Sequence, residues 1–430
     1  MVNLKSKIRA KYYLVINSIA FMPALVTIGL SITALLLINF ETIEIRTWLS
    51  ENAESIILKD KDTARSILGV FIGGLISLTV FSFSMVMILL NQASNNYSPR
   101  LLPGLISSKR HQIVLGTYLG TIGFCILVLI NIQPNNNSYD LPMLGFMTAL
   151  VLMAICLSQF IFFINNISKS IQISNILVEL YRKTSKHLSE RKYTEKEIIE
   201  ESKGDPATES NKNQNGHLIQ AHRSGYFREA TIDDMLKIAA EENLKIRILI
   251  AEGKFVLQDQ VMLSIDKPIS ESIKDELLGT LNFSIEEIVD ENYFFGFKHF
   301  TEIATKAMSP GINDPGTALN AIDYLSELYM ELSSLMGILN HKDEDEVYRI
   351  FVETHSFEQI LSDNMTHLRV YCKGDPIVAK RLLSMLHFLK DLKGLSSQRH
   401  SHIKQEIELM QNDMKLAIEN KIDYSRSIKV

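Results

Sequence analysis

Four apolar segments dominate the first 165 residues of the chain, and none of them contains Asp, Glu, Lys, Arg or His. The segments are Ala20 to Phe40, Ser66 to Leu90, Ile113 to Ile132 and Pro142 to Ile164. A helix rises about 1.5 Å per residue, so roughly 20 uncharged residues cross a hydrocarbon core about 30 Å thick. The alternative, a soluble protein, would need four consecutive charge-free helices. The pattern therefore predicts a four-helix transmembrane domain over residues 1–165.

The pattern changes after the fourth apolar segment, where charged residues become frequent. Apolar residues at helical spacing, among them Ile167, Ile171 and Leu177, predict that a helical stalk continues over residues 166–203. Residues 204–220 lack apolar periodicity and are rich in Asn, Gly and charged residues. This composition is typical of a disordered linker.

The remainder of the chain carries two patterns. A helix through Thr231 to Glu242 and three short strands predict a small α+β domain over residues 221–281. The strands are expected at Lys245 to Ile250, Lys254 to Leu257 and Val261 to Ile265. From residue 282 the period is helical and predicts a helical domain over residues 282–430. Its helices are expected near Tyr293 to Met308, Pro315 to Leu339, Tyr348 to Tyr371, Pro376 to Leu392 and Ser397 to Glu419. The predicted fold class is a membrane all-α region followed by a mostly helical α+β half.

Lys and Arg residues flank the apolar segments asymmetrically, and this asymmetry predicts the orientation in a membrane. The basic flanks hold Lys5, Lys7, Arg9 and Lys11 before the first segment, Arg100, Lys109 and Arg110 between the second and third, and Lys169, Arg182 and Lys183 after the fourth. Positive charge in short flanks is retained on the cytoplasmic side. We therefore expect both termini, and the C-terminal half, to be cytoplasmic.

Composition and charge narrow the classes of function. The net charge is −5 and no long basic run occurs, so we expect no nucleic-acid partner. The three cysteines lie far apart in the sequence, which argues against a disulfide framework and a CxxC metal site. The sequence has no recognisable nucleophile with a neighbouring base and no glycine-rich nucleotide loop. We expect a lipid bilayer as partner, no cofactor and no enzyme activity.

Small and polar residues share one face of the second apolar segment. They are Ser66, Gly73, Ser77, Ser84 and Asn91, spaced by four or seven residues. Close helix packing is one interpretation, supported by the spacing of Gly69 and Gly73, and of Gly116 and Gly120 in the third segment. A stripe that lines a pore is the other. The sequence leaves both open.

The run from Ser309 to Ala318 is the most distinctive in the C-terminal half. Asp314 directly before Pro315 has the chemistry of a helix N-cap followed by proline at the first helical position. Free backbone amides at a helix N-terminus also receive anions. Two interpretations therefore remain for this run, a helix cap and an anion-binding loop. The residues concerned are Ser309, Pro310, Gly311, Asn313, Asp314 and Pro315.

Two stretches resemble a known family. They are Asn91 to Leu102, after the second apolar segment, and Ser309 to Pro315. Together with Ser224-Gly225-Tyr226 and Phe295-Gly296-Phe297-Lys298, they resemble the bacterial predicted membrane proteins called domain of unknown function 2254. The resemblance implies a multi-pass protein of the bacterial inner membrane and says nearly nothing about activity. We interpret the first stretch as an interfacial elbow, formed by Gln92, Ser94, Ser98, Pro99 and Arg100.

Two classes of function fit these expectations. The first is a homo-oligomeric, channel-like protein with a cytoplasmic regulatory domain. The second is a membrane-anchored scaffold or sensor without a conduction path. The channel hypothesis predicts that the face of Ser77 and Ser84 lines a symmetric axis, whereas the scaffold hypothesis predicts that this face packs within one subunit.

Overall fold

Thirteen helices and eight short strands follow one another in the described part of the chain. A computed structural model describes residues 18, 20–41, 60–96, 109–132, 142–170, 173–201, 216–284, 292–335 and 338–429. The chain divides into two compact units. The N-terminal unit holds the first four helices, and the C-terminal unit begins at Ile173.

The N-terminal unit consists of four long apolar helices. They are α1 (Phe21–Phe40), α2 (Lys61–Asn96), α3 (Lys109–Ile130) and α4 (Met143–Ser170). Each is long and apolar enough to cross a membrane, the spans being Phe21–Phe40, Lys61–Leu89, His111–Ile130 and Met143–Ile167. The prediction of four membrane-spanning helices is confirmed.

The third helix is the centre of the N-terminal unit. Half of its apolar window, 50%, is buried, compared with 11–17% in the other three helices. Helix α3 packs against α1 and α4. Its buried residues include Phe124 and Tyr118, which belong to two separate apolar clusters with α2 and α4. The other three helices therefore direct most of their apolar surface outward, as lipid-facing helices do.

The C-terminal unit opens with a long helix and two small sheets. Helix α5 (Ile173–Glu201) is followed by β1 (His217–Gln220), β2 (Gly225–Ala230), α6 (Ile232–Glu241), β3 (Ile246–Ile248), β4 (Phe255–Val256), β5 (Val261–Ile265), α7 (Glu271–Gly279) and β6 (Leu281–Ser284). The second part holds α8 (Tyr293–Ala307), α9 (Pro315–Leu332), β7 (Ile338–Lys342), β8 (Tyr348–Glu353), α10 (Phe357–Cys372), α11 (Pro376–Lys390), α12 (Ser397–Ala417) and α13 (Lys421–Ser427).

The larger sheet brings distant parts of the chain together. Its order is β1-β5-β3-β8-β7, and the smaller sheet has the order β4-β2-β6. The pair β3 and β8 is parallel, with Ile246 opposite Ile350, and the other pairs are antiparallel. Strands from both sides of residue 281, where we expected one domain to end, thus share one sheet. The apolar core beneath it includes Phe227, Met235 and Leu263.

Several secondary-structure predictions for the C-terminal half are wrong. The helix expected from Pro315 to Leu339 ends at Leu332, and residues 338–342 form β7. Residues 348–353, expected to be helical, form β8, and residues 217–220, assigned to the linker, form β1. Short apolar runs do not distinguish a strand from a buried helix, and pairing with distant strands decides the matter here.

Helix α8 is the centre of the helical part, with ten of its fifteen residues buried. It packs against α5, α9 and α10. A β-carbon added at Gly296 would lie 2.0 Å from Thr184 Oγ1, so α5 and α8 approach each other as closely as glycine permits. Helix α5, which we expected to be a stalk, is therefore packed into the C-terminal unit along part of its length.

Candidate functional site

The small and polar residues of α2 lie on one exposed side of that helix. Ser66, Gly73, Ser77, Ser84 and Asn91 are all exposed in the single chain. On the opposite side, Leu68 and Leu75 are fully buried. We call the exposed side the α2 small-residue face, defined by Ser66, Gly69, Gly73, Ser77, Ser84 and Asn91.

The two glycines of the α2 small-residue face are open. Among the described residues, nothing lies within 4 Å of a β-carbon added at Gly69 or Gly73. Exposed bulky residues flank the face, Ile76 and Phe83 on one side and Phe81 and Ile88 on the other. A helix of 3.6 residues per turn places the small residues between these two rows. Val80, which is 60% exposed, lies on the same side, so the open part of the face is the turn that carries Gly69 and Gly73.

Two of the serine hydroxyls on this face have partners within the helix. Ser66 Oγ donates to the Asp62 carbonyl oxygen at 2.8 Å, and Ser77 Oγ donates to that of Gly73 at 3.0 Å. Such bonds to the carbonyl four residues earlier satisfy a hydroxyl without water. The face is therefore compatible with contact to another helix as well as with contact to water.

The glycines of α3 are in a different situation. A β-carbon at Gly116 would lie 2.9 Å from Pro23 Cα, and one at Gly120 would lie 3.3 Å from Thr27 Cα. Both partners are backbone atoms of α1. The Gly116 and Gly120 spacing therefore allows the close approach of α1 and α3 within one chain, as small residues do in membrane helix pairs.

Most of the expected interfacial elbow cannot be placed. Ser98, Pro99 and Arg100 lie outside the described residues. Gln92 and Ser94 belong to the end of α2, and their side chains are likewise outside the description. The elbow remains a prediction.

The loop before α9 is held by its own hydrogen bonds. Asp314 is the N-cap of α9, with Oδ1 accepting from the Thr317 amide at 3.1 Å and Oδ2 accepting from Thr317 Oγ1 at 2.6 Å. Pro315 occupies the first helical turn, and Asn313 has a φ of 47°. The Asp314 carboxylate accepts a hydrogen bond from an amide that a bound anion would otherwise use. Its negative charge would also repel an anion. The anion-binding alternative stays a prediction.

A cavity in the C-terminal unit was not foreseen from the sequence. It has a volume of about 200 Å³ and is lined by α5, the turn after β3, the start of α8, and the strands β7 and β8. The polar residues that line it include His187, Arg191, Asn292, Tyr293, Thr354 and His355. Because these residues come from separate parts of the chain, no motif joins them, and only the fold brings them together.

One wall of the cavity is formed by the ring of a buried histidine. His355 is 3% exposed and stacks on Phe294 with ring centroids 3.8 Å apart. Its Nε2 lies 2.7 Å from the Glu252 carbonyl oxygen, which can only accept, so Nε2 carries the proton. Burial, with the charges of Lys254 and Arg191, lowers the pKa of His355 to about 4, although the bond to Glu252 opposes this shift. The imidazole is therefore neutral at pH 7.

The described residues do not include an obvious set of metal ligands. They contain no group of three His, Cys, Asp or Glu residues that could hold a metal ion. Cys125, Cys156 and Cys372 are all buried and not joined in disulfides. In the C-terminal unit, burial raises the pKa of the Cys372 thiol to about 12, with Asp375 adding to this shift. This thiol is therefore protonated at neutral pH.

Comparison with known proteins places the chain among predicted membrane proteins. The profile of the family described as predicted membrane protein (DUF2254) matches residues 16–387. The chain is 23% identical over 332 residues to the uncharacterized proteins Mb1321c of Mycobacterium bovis and Rv1290c of Mycobacterium tuberculosis. These alignments cover 75% of this chain and 63% of each relative, so the chain spans less than two thirds of their length. No solved structure matches the chain.

Proposed function

Because the chain belongs to the DUF2254 family of predicted membrane proteins, we propose that it self-associates in the membrane along the α2 small-residue face, and that this face surrounds a conduction path. The observation that carries the proposal is the exposure of this face, with Gly69 and Gly73 open in the single chain. The proposed role is non-enzymatic. It places the protein in the bacterial inner membrane with both termini cytoplasmic, as the Lys and Arg flanks favour.

The proposed self-association rests on the close packing of membrane helices at small residues. Lipid tails are as apolar as leucine, so membrane helices associate by close packing rather than by a hydrophobic force. Glycines spaced by four residues let two backbones approach, and Gly116 and Gly120 are used in this way inside the chain. Gly69 and Gly73 of α2 have the same spacing, and no described atom lies within 4 Å of a β-carbon added at either position. A second copy of this chain is the partner that we propose for this side of α2.

The conduction path is the further step of the proposal. Around an axis lined by α2, Ser77 and Ser84 would present hydroxyl groups whose oxygen atoms accept hydrogen bonds. A ring of neutral hydroxyls does not select strongly by charge, in contrast to a ring of carboxylates or guanidinium groups. We therefore propose a path with weak charge selectivity.

The C-terminal unit is the proposed regulatory domain. Two residues separate the end of α4 from the start of α5 in the sequence, and α5 is held within the C-terminal unit. Thr184 packs against Gly296, and Ser185 Oγ donates to Glu331 Oε1 at 2.9 Å. A change in the packing of α5 would act on the segment that leads directly into α4. This connection supports a regulatory role.

A membrane-anchored scaffold or sensor without a conduction path is the second candidate. The hydroxyls of Ser66 and Ser77 favour it, because they are satisfied by carbonyl groups of their own helix. Such a face can pack dry against another helix and leave no pore. The scaffold was expected to pack this face within one subunit; a scaffold that instead pairs through α2 would differ from the channel only in whether solute crosses.

Disulfide crosslinking in membranes, followed by flux assays, tests the proposal. Gly73→Cys should form crosslinked dimers under mild oxidation, and Ile28→Cys, at a 59% exposed position of α1, should not. The background should be low because all three native cysteines are buried. Equal crosslinking of the two variants would contradict assembly through α2. Crosslinking without solute flux in reconstituted vesicles would remove the channel and leave the scaffold.

A further inference from the structure

Two carboxylates of α9 lie against α5, the helix that follows α4 in the chain. Glu327 and Glu331 are four residues apart on α9, so their side chains share one face of that helix. Ser185 Oγ of α5 lies 2.9 Å from Glu331 Oε1 and 3.1 Å from Oε2, so its single proton is shared between the two oxygens. A carboxylate thus joins α5 to α9.

A tyrosine of α5 completes this cluster of polar groups. The ring of Tyr181 lies beside that of Tyr324 in α9, with centroids 5.2 Å apart. Its hydroxyl interacts with both Glu327 and Glu331. Burial, with the interaction with Glu327 and the charges of both carboxylates, raises the pKa of Tyr181 to about 12, although Ser185 opposes this shift. The hydroxyl therefore keeps its proton at neutral pH and is available to the carboxylates as a donor.

The surroundings of Glu331 disfavour its ionised form. Burial raises the pKa of Glu331, the hydrogen bond from Ser185 lowers it, and the charge of Glu327 raises it again. Lys192 and Tyr181 of α5 also lower it, but the net direction is upward from the ordinary value of 4.5. Like charges four residues apart on a helix repel each other. The contact between α5 and α9 is therefore weaker when both carboxylates are ionised.

We infer that Glu327 and Glu331 form an acid-sensitive latch between α5 and α9, which is tighter when Glu331 is protonated and looser when it is ionised. A protonated carboxyl group still accepts hydrogen bonds, so Ser185 stays bonded to Glu331 in both states. Proton uptake removes the repulsion from Glu327 and leaves this bond in place. The latch does not depend on self-association through α2, whereas its effect on a conduction path rests on the proposed function.

Thermal unfolding of the full-length protein in detergent, followed by circular dichroism at 222 nm between about pH 8 and pH 5, tests the latch. The folded chain holds the Glu331 proton to a higher pH than the unfolded chain does, so the protein gains stability as the pH falls towards 4.5. Glu331→Gln is neutral at every pH and keeps an acceptor for Ser185. We expect it to raise the Tm by roughly 2–4 °C at pH 8. The Tm values of this variant and the unmodified protein should converge as the pH falls.

Three further variants connect the pH dependence to this cluster. Ser185→Ala removes a donor that favours the ionised form, so its Tm should depend more steeply on pH than that of the unmodified protein. Glu327→Gln removes the repelling charge, so its Tm should depend less steeply on pH. Glu408→Gln is the matched control, because Glu408 is an exposed glutamate of α12 and the same charge is removed. It should leave the pH dependence unchanged.

Three outcomes would overturn the inference. The first is a lower Tm for Glu331→Gln than for the unmodified protein at pH 8, which would mean that the ionised carboxylate stabilises the fold. The second is a difference in Tm between these two proteins that does not vary with pH. The third is a loss of pH dependence in Glu408→Gln as large as that in Glu331→Gln.

Discussion

Gly116 and Gly120 in α3 and Gly69 and Gly73 in α2 have the same spacing, but the fold uses the two pairs in opposite ways. The pair in α3 lies against α1, where added β-carbons would come within 2.9–3.3 Å of backbone atoms. The pair in α2 has no described atom within 4 Å of either added β-carbon. A glycine pair in a membrane helix thus indicates close approach but does not say which helix approaches.

The comparison separates glycines that are needed for folding from those that remain available for assembly. Where a neighbour already fills the space, a methyl group must displace it, and the folded chain loses stability. Where the space is open, the same methyl group costs the single chain little. Its effect should then fall on whatever packs there in an assembled protein.

The closest glycine contact lies in the C-terminal unit, at Gly296. An added β-carbon would meet Thr184 Oγ1 at 2.0 Å and Thr184 Cγ2 at 2.4 Å. Thr184 cannot easily move, because it is buried and its hydroxyl donates to the Leu180 carbonyl oxygen at 2.8 Å. Gly296→Ala should therefore cost about 3 kcal/mol, the upper end of what overpacking usually costs, and lower the Tm by roughly 6–12 °C.

The matched control for Gly296 is a second change at Thr184. Thr184→Ala removes the two atoms that clash most, so the double variant should recover part of the lost Tm. The same Tm for Gly296→Ala and the unmodified protein, measured by circular dichroism at 222 nm, would mean that α5 and α8 are not packed this closely. A short distance between an added β-carbon and its neighbour would then not predict a loss of stability.

The same methyl group can be added at a glycine of α3 that lies against α1 and at a glycine of α2 that has no described neighbour. Gly116→Ala should cost about 1–3 kcal/mol, because Pro23 Cα and Val26 Cβ would lie 2.9 and 3.1 Å away. It should lower the yield of folded protein extracted from membranes. Gly73→Ala should leave that yield unchanged. If both variants lose the same yield, the openness of α2 does not describe the protein in the membrane.

The smallest effects are expected in the loop before α9, which contains another open glycine. Asp314→Ala removes the N-cap and should cost about 1 kcal/mol, or roughly 2–4 °C in Tm, while Asp314→Asn and Asp314→Ser should stay near the original value. Gly311→Ala should change nothing, because no described atom lies within 4 Å of its added β-carbon. A large loss at Gly311 would show that an open glycine can be costly without a packing partner.

The sequence predicts the parts of this fold that depend on local chemistry. Hydropathy identifies the four spans, the spacing of Ser66 to Asn91 identifies one face of α2, and Asp314 before Pro315 identifies the start of α9. Each of these signals lies within one turn or one helix. None of these signals depends on which distant helix or strand the segment packs against.

The sequence fails where the structure depends on distant partners. Strand β8 was expected to be a helix, because the run from Tyr348 is apolar without strict alternation, and its pairing with β3 is about a hundred residues away in the chain. The cavity beside Arg191 was missed for the same reason, since Tyr293 and Thr354 reach it from separate elements. Whether a glycine pair is filled or open is also a property of the fold, which the motif alone does not contain.

We propose that the α2 small-residue face joins copies of this chain, so the oligomeric state should depend on this face. Native mass spectrometry should be carried out on the unmodified protein and on the double variant Gly69→Val, Gly73→Val in the same detergent. Valine adds bulk to the side of α2 that we assign to a second copy, while in the single chain no described atom lies within 4 Å of a β-carbon at either position. We predict an oligomer for the unmodified protein and a folded monomer for the double variant. A monomeric unmodified protein, or an oligomer that survives the double substitution, would contradict the claim.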